Sequence, residues 1–242
     1  MIALISTIAV FFTVVYLEST RIEIPLAHSM ARGARGRFPI NILYASVLPM
    51  ILVRALQASI QGFGRMLYSH GITIFGTYDE YGNAISGLVY YLDPIYSPWD
   101  CFPSLMTIPH AGWQVATRLT VDLAFMVIGG AIFALFWINT TGMGAKDVAS
   151  QIHRSGMQIP GHRRSPATIE RLMEGYIPKI TIMGGAILGI LCVLSNMFGT
   201  LGQASGTGLL LAVSIAYRLY EDVASEQMIE IFPAMRRFFG RE

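Results

Sequence analysis

Five apolar stretches, separated by polar ones, organise this chain of 242 residues. They cover about 1–17, 40–68, 119–138, 180–201 and 207–220. None alternates with period two for long, so each predicts a helix rather than a strand. A hydrocarbon core of about 30 Å needs about 20 helical residues to cross it. The third and fourth runs match that length. The first is short, and the second would span about 43 Å at ~1.5 Å per residue. The fifth crosses only if the polar residues between Gly206 and Asp222 face protein or water. The pattern predicts an all-α polytopic membrane protein.

The polar segments have textures of their own. Segment 18–39 opens with Arg21, Ile22, Glu23 and Ile24, an alternation that predicts a strand-like arm. Arg32, Arg35 and Arg37 follow among glycines as a basic tip, and Phe38, Pro39 and Ile40 lead into the second helix. Pro49 falls inside that helix and predicts a kink or hinge. In segment 139–179, residues Ala145 to Ser155 read as an amphipathic helix. A charged turn over 160–166 carries His162, Arg163 and Arg164, and Ala167 to Tyr176 reads as a short helix stopped near Pro178. Segment 69–118 is long and poor in Lys and Arg, and a tail covers 221–242.

Composition agrees with the pattern. Apolar residues make up 53% and charged residues 13%, against about 25% charged in soluble domains. Most of the surface therefore avoids water, and mean hydropathy is +0.52. The net charge of +2 is small, so its placement carries the information. Arg21, Arg32, Arg35 and Arg37 mark the first basic loop; Lys146, Arg154, Arg163, Arg164 and Arg171 mark the second. The loop between them has only Arg118, against Asp79, Glu80, Asp93 and Asp100. The positive-inside rule puts both basic loops and the C-terminal tail in the cytoplasm and Met1 outside. A chain starting outside, in the first residues of a spanning helix and without a signal peptide, predicts further helices upstream. Two cysteines, Cys101 and Cys192, make no disulfide framework and are expected to be free.

Arg54 lies near the middle of the second run, where facing lipid costs at least about 2.5 kcal/mol. Gln57 and Gln61 share its helical face at i+3 and i+7, and Ser59 lies well round from it. Two readings stand: a helix lining an aqueous path or polar gate, or a hydrogen-bond network between packed helices. Gly129, Gly130, Ala131, Ala134, Gly184, Gly185 and Gly189 predict close helix packing without chemistry. The loop arginines offer contacts to RNA phosphate or an acidic protein, beside their role as a topology signal. Catalytic motifs, metal-ligand clusters and cofactor-binding signatures are missing from the sequence. All five histidines lie in loops, and Asp122 is the one carboxylate in the first four runs.

Several stretches, taken together and in order, resemble the C-terminal half of the SecY family of protein translocase subunits. The likeness is to the archaeal type, similar to the alpha subunit of the eukaryotic Sec translocon. They are RFPINILYASVLPMIL from Arg37 to Leu52, FWINTTG from Phe136, AKDVA from Ala145, PGHR from Pro160, YIP from Tyr176, and GTGLLLAVSIAYR from Gly206 to Arg218. The resemblance implies that the five runs are one half of a ten-helix channel in the cell membrane. It implies a hydrophobic pore ring containing Leu48 and Leu211. Lateral-gate helices in the second and third runs would carry a polar channel face of Pro49, Arg54, Gln57, Ser59 and Gln61. Ser59 departs from the family, whose members often have Asn there. Ribosome-binding loops would carry Arg32, Arg35, Arg37, His162, Arg163 and Arg164. The implied partners are the N-terminal half of the same channel, small SecE-like (gamma) and beta subunits, a ribosome with its nascent chain, the translocating polypeptide and membrane lipids. The family's N-terminal half is the main part without a counterpart here. Two other readings of the residues remain: a secondary-transporter fragment with Arg54 holding an anionic substrate beside a broken helix, and a non-transporting membrane scaffold.

Overall fold

The computed structural model describes residues 2–28, 35–41, 43, 47–79, 84–96, 112–154, 157–158, 166–199 and 205–231. The chain is dominated by helices. The order is α1 (Ile2–Ser19), β1 (Arg21–His28), β2 (Arg35–Asn41), α2 (Leu48–Ser69), β3 (Thr77–Tyr78), β4 (Ala84–Ser86), α3 (Leu88–Leu92), α4 (Gly112–Thr140), α5 (Ala145–Arg154), β5 (Met157–Gln158), α6 (Pro166–Phe198) and α7 (Gly206–Ile231). Among the described residues, Gly112–Thr140 and Ala167–Phe198 are the two helices both long and apolar enough to cross a membrane.

Several predicted boundaries are corrected. The second helix starts at Leu48, not at residue 40, because 35–41 form a strand instead. That strand pairs with β1 along its length, from Arg21 opposite Asn41 to Ala27 opposite Arg35. Pro49 therefore lies in the first turn of α2 and not in its interior. Its missing N–H costs nothing there, since the N–H groups of the first turn have no acceptor within the helix. Residues 167–176 do not form a separate short helix: α6 continues unbroken through Pro178 to Phe198. A proline inside a helix forfeits one backbone bond. Here Ile169, Met173, Ile177 and Ile180 are all buried on one face and hold the helix together across that gap. At the other end, α7 runs eleven residues past the predicted Tyr220, to Ile231.

The helices invert the soluble pattern. Along α4, one stripe at near four-residue spacing is buried: Val115, Asp122, Met126, Gly130, Ala134 and Ile138. The outward stripe is Ile128, Ile132 and Phe136, each about 60% exposed. Apolar side chains out, with small and polar ones in, is the arrangement a lipid solvent selects. Buried apolar residues form two clusters. One joins the end of α4 to α5 and the start of α6, around Ile152 and Met173. The other gathers α1, α2, α4, α6 and α7 around Val14, Met50, Met126 and Leu210.

Glycines let α4 and α6 meet backbone to backbone. A Cβ on Gly185 would stand 2.7 Å from Gly130 O, and one on Gly189 would stand 2.7 Å from Met126 O. Outside the helices, Gly76 and Gly87 cross at φ +140° and +89°, where a Cβ on Gly76 would strike the Ser86 carbonyl and one on Gly87 would strike Gly76 Cα. This crossing folds the β3–β4 hairpin back and sets α3 against α2. A third sheet element is long-range: β5 of the second basic segment pairs with β1 of the first, with Ala27 opposite Gln158 and His28 opposite Met157.

Gly185→Ala is expected to lower the melting temperature of the detergent-solubilised protein, as overpacking of this kind costs ~1–3 kcal/mol. Gly62→Ala, whose Cβ would meet nothing within 4 Å, is expected to leave it unchanged or raise it slightly. Equal losses in the two variants would count against the close packing of α4 on α6.

Candidate functional site

The polar face of α2 meets three other elements. Arg54 Nη1 donates to Gln57 Oε1 at 2.6 Å and to Asp122 Oδ1 of α4 at 2.9 Å. Gln57 Nε2 donates to the same Asp122 oxygen at 2.8 Å and to Leu92 O, at the end of α3, at 2.5 Å. Gln61 Nε2 reaches Leu92 O at 3.1 Å. Arg54 Nη2 points at Cys192 Sγ of α6, 3.8 Å away, and that thiol lies 2.9 Å from Thr207 Oγ1 of α7. The ion pair is enclosed, with the Arg54 and Asp122 side chains 12% and 3% exposed.

Asp122 is nearly three turns into α4, because the helix starts at Gly112 and not at residue 119 as predicted. That depth makes the pairing possible. Removing either partner would leave a charge in an apolar surrounding, which is far costlier than the pair itself.

A cavity of about 460 Å³ opens on the other side of Arg54. Its wall includes Arg54, Gln57, Gln61, Tyr96, Asn196 and Leu211. The segment carrying Tyr96 is held by Arg118, which donates to Asp93 O at 2.7 Å and to Asp93 Oδ2 at 2.6 Å. Its guanidinium also lies over the Tyr90 ring, 4.9 Å from the centroid, a favourable placement for a cation. Burial pushes the Tyr96 phenol above its ordinary pKa, with the nearby Arg54 charge pulling it back. Where α7 begins, Asn196 Oδ1 accepts from Gly206 N at 2.5 Å.

Of the sequence-predicted residues, Arg54, Gln57 and Gln61 come together on one face of α2. One side is a hydrogen-bond network, and the other lines a cavity. Leu211 lines the same cavity. Leu48, the first residue of α2, is 38% exposed. Pro49 is buried in the first turn, away from the polar face. Ser59 is exposed and turned back on its own helix, donating to Ala55 O at 2.8 Å. Arg35 and Arg37 lie on β2, opposite Ala27 and Pro25; their side chains, like Arg32, His162, Arg163, Arg164 and Cys101, lie outside the described residues. Cys192 is buried and free.

Sequence reasoning did not assign Asp122 as the partner of Arg54, although a signal was there. One carboxylate among four apolar runs and one arginine mid-helix both need a counter-charge. It also missed Asn196, Thr207 and the buried contact between Ser214 and Glu18, which joins α7 to α1. An ion pair joins Arg21, the first residue of β1, to Glu221 of α7. Neither contact has a local motif.

The SecY family model matches residues 1–220. The protein translocase subunit SecY of Archaeoglobus fulgidus is 55% identical over all of this chain and 50% of its own length. That of Haloferax volcanii is 54% identical, again over all of this chain and 50% of the relative. A solved structure of a SecY protein, concerned with how its plug domain stabilises the closed translocation channel and maintains a membrane seal, is 41% identical with a TM-score of 0.77. It covers 96% of this chain and 51% of that one. The chain thus spans about half the length of the curated relatives it matches.

Asp122→Ala is expected to destabilise the folded protein by ~3–5 kcal/mol by stranding the Arg54 charge. The double change Arg54→Met with Asp122→Leu is expected to recover most of that loss. Thermal unfolding in detergent reads both, and a double variant no better than Asp122→Ala would exclude the buried pair as the cause.

Proposed function

The chain belongs to the SecY family, and on that premise we propose that it forms one half of a protein-conducting channel in the cell membrane. The five apolar runs, now helices α1, α2, α4, α6 and α7, are the five spans of a ten-helix channel. An N-terminal half supplies the remainder, and small gamma and beta subunits flank it. Segments 18–39 and 139–179 are cytoplasmic, 69–118 is external, and the tail from 221 is cytoplasmic. The basic loops receive a ribosome through Arg32, Arg35, Arg37, His162, Arg163 and Arg164.

The observation that carries this reading is the cavity between α2 and α7, which is walled by Leu211 and the polar face of α2, with Pro94 and Tyr96 also lining it. Leu48 and Leu211 contribute to a narrow apolar ring at its mouth. Such a ring dewets and blocks ions, yet has no fixed charge to hold a passing chain. Hydrophobic segments leave sideways past α2 and α4, the gate helices of this half, with lipid beyond. The polar channel face is Arg54, Gln57 and Gln61, with Pro49 and Ser59 on neighbouring surfaces of α2. No step makes or breaks a covalent bond. The transporter reading is disfavoured by α2 itself, which is unbroken from Leu48 to Ser69, where a broken helix was required. The scaffold reading has no use for a cavity of this size.

In the complete channel, Leu48→Gly with Leu211→Gly is expected to produce an ion leak in planar bilayers. An intact ion barrier would sink the ring assignment. Arg163→Glu is expected to weaken translocation several-fold while insertion and folding stay normal. Unchanged translocation would reduce that arginine to a topology signal.

A further inference from the structure

Where the chain leaves α3, three consecutive carbonyls each accept from a neighbouring helix. Leu92 O takes Gln57 Nε2 at 2.5 Å and Gln61 Nε2 at 3.1 Å, both from α2. Asp93 O takes Arg118 Nε of α4 at 2.7 Å, and Pro94 O takes Arg118 Nη2 at 3.4 Å. Carbonyls at a helix end have no donor within the helix, and a cation beside them is favourable. Arg118 also engages Asp93 Oδ2 at 2.6 Å and the face of the Tyr90 ring. Its side chain is only 14% exposed. One planar guanidinium thus grips two backbone oxygens, a carboxylate and a ring, a geometry that a lysine does not reproduce.

The segment held in this way faces the cavity. Asp93 is already extended, at φ −79° and ψ 121°. Successive side chains of an extended chain point to opposite sides. Ile95 turns to the interior and is 4% exposed, while Pro94 and Tyr96 line the cavity. Gln57 and Gln61 stop at Leu92; beyond it, Arg118 and the buried Ile95 hold the segment. Arg118 is not among the residues that line the cavity, so it acts on the wall through the segment it grips.

We infer that Arg118 is a positioning residue for translocation, which keeps Tyr96 in the cavity wall where a passing polypeptide touches its ring. An apolar ring with a polar tip suits contact with side chains of many kinds. This inference rests on the channel reading of the cavity.

The test uses the complete channel with a secretory polypeptide arrested in it. Photo-crosslinking benzoylphenylalanine replaces Tyr96 in one set of channels and Leu211 in another, and both are expected to crosslink the arrested chain. Arg118→Ala should cut the crosslink at 96 several-fold and leave that at 211 intact. An arginine that only stabilises the fold would lower the melting temperature and move neither crosslink, or both together. An unchanged crosslink at 96, or an equal loss at 211, therefore overturns the inference. Arg118→Lys keeps one charged donor without the fork and should fall between the parent and Arg118→Ala. If Arg118→Ala fails to fold, a lysine variant that crosslinks at 96 like the parent overturns the inference instead. Absence of both crosslinks in the parent counts against the channel reading. The positioning is then read with no polypeptide present, from the spectrum of a nitroxide label at position 96. That label should be restrained in the parent and mobile in Arg118→Ala, and a label restrained in both overturns the inference.

Discussion

A buried arginine among apolar helices must find its acceptors mostly within the protein, and Arg54 shows how much follows from that. An apolar surrounding supplies no acceptor. The guanidinium must therefore turn inward, and what it meets there fixes the positions of its neighbours. Asp122 comes from α4, Cys192 from α6, and Gln57 carries the same network to the end of α3. Four helices are thus placed by one side chain and its contacts. Apolar packing alone leaves more freedom, because helix faces covered in aliphatic residues slide over one another at little cost. The buried network assigns a register, a use of polar groups for which single buried residues in helical assemblies are the best precedent.

The glycine contacts between α4 and α6 are the necessary complement. Asp122 and Cys192 can both reach Arg54 only if their helices lie close, and Gly130 of α4 with Gly185 and Gly189 of α6 allow that closeness within about two turns of those two residues. The same logic explains the inversion along α4. Gly130 and Ala134 of its inward stripe are small because α6 sits against them, and Ile128, Ile132 and Phe136 of its outward stripe are large where they stand exposed among the described residues.

Much of this was legible in the sequence. Apolar run length located the helices, and the i, i+3, i+7 spacing of Arg54, Gln57 and Gln61 identified the face that bears the site. The errors share a cause. At residue 40 an apolar run entered a strand, since Phe38, Pro39 and Ile40 suit either structure and only pairing with Ile24, Glu23 and Ile22 decides between them. At Pro178 a local breaker was overridden by burial on both sides of it. The partners of Arg54 lie 68 and 138 residues away along the chain, so no window of local pattern contains them. Short-range rules found elements, and long-range contacts chose among the options those rules left open.

The two basic loops illustrate that second kind of information. As a charge pattern they are two separate signals of one orientation. In the fold they are one structure, because β1 of the first pairs with β5 of the second. A two-residue strand such as β5 has no stability of its own; it exists because β1 offers an edge and α5 delivers the chain to it. The backbone bonds at Ala27 and His28 therefore couple segments more than 120 residues apart. Separating the two loops therefore requires breaking that pairing.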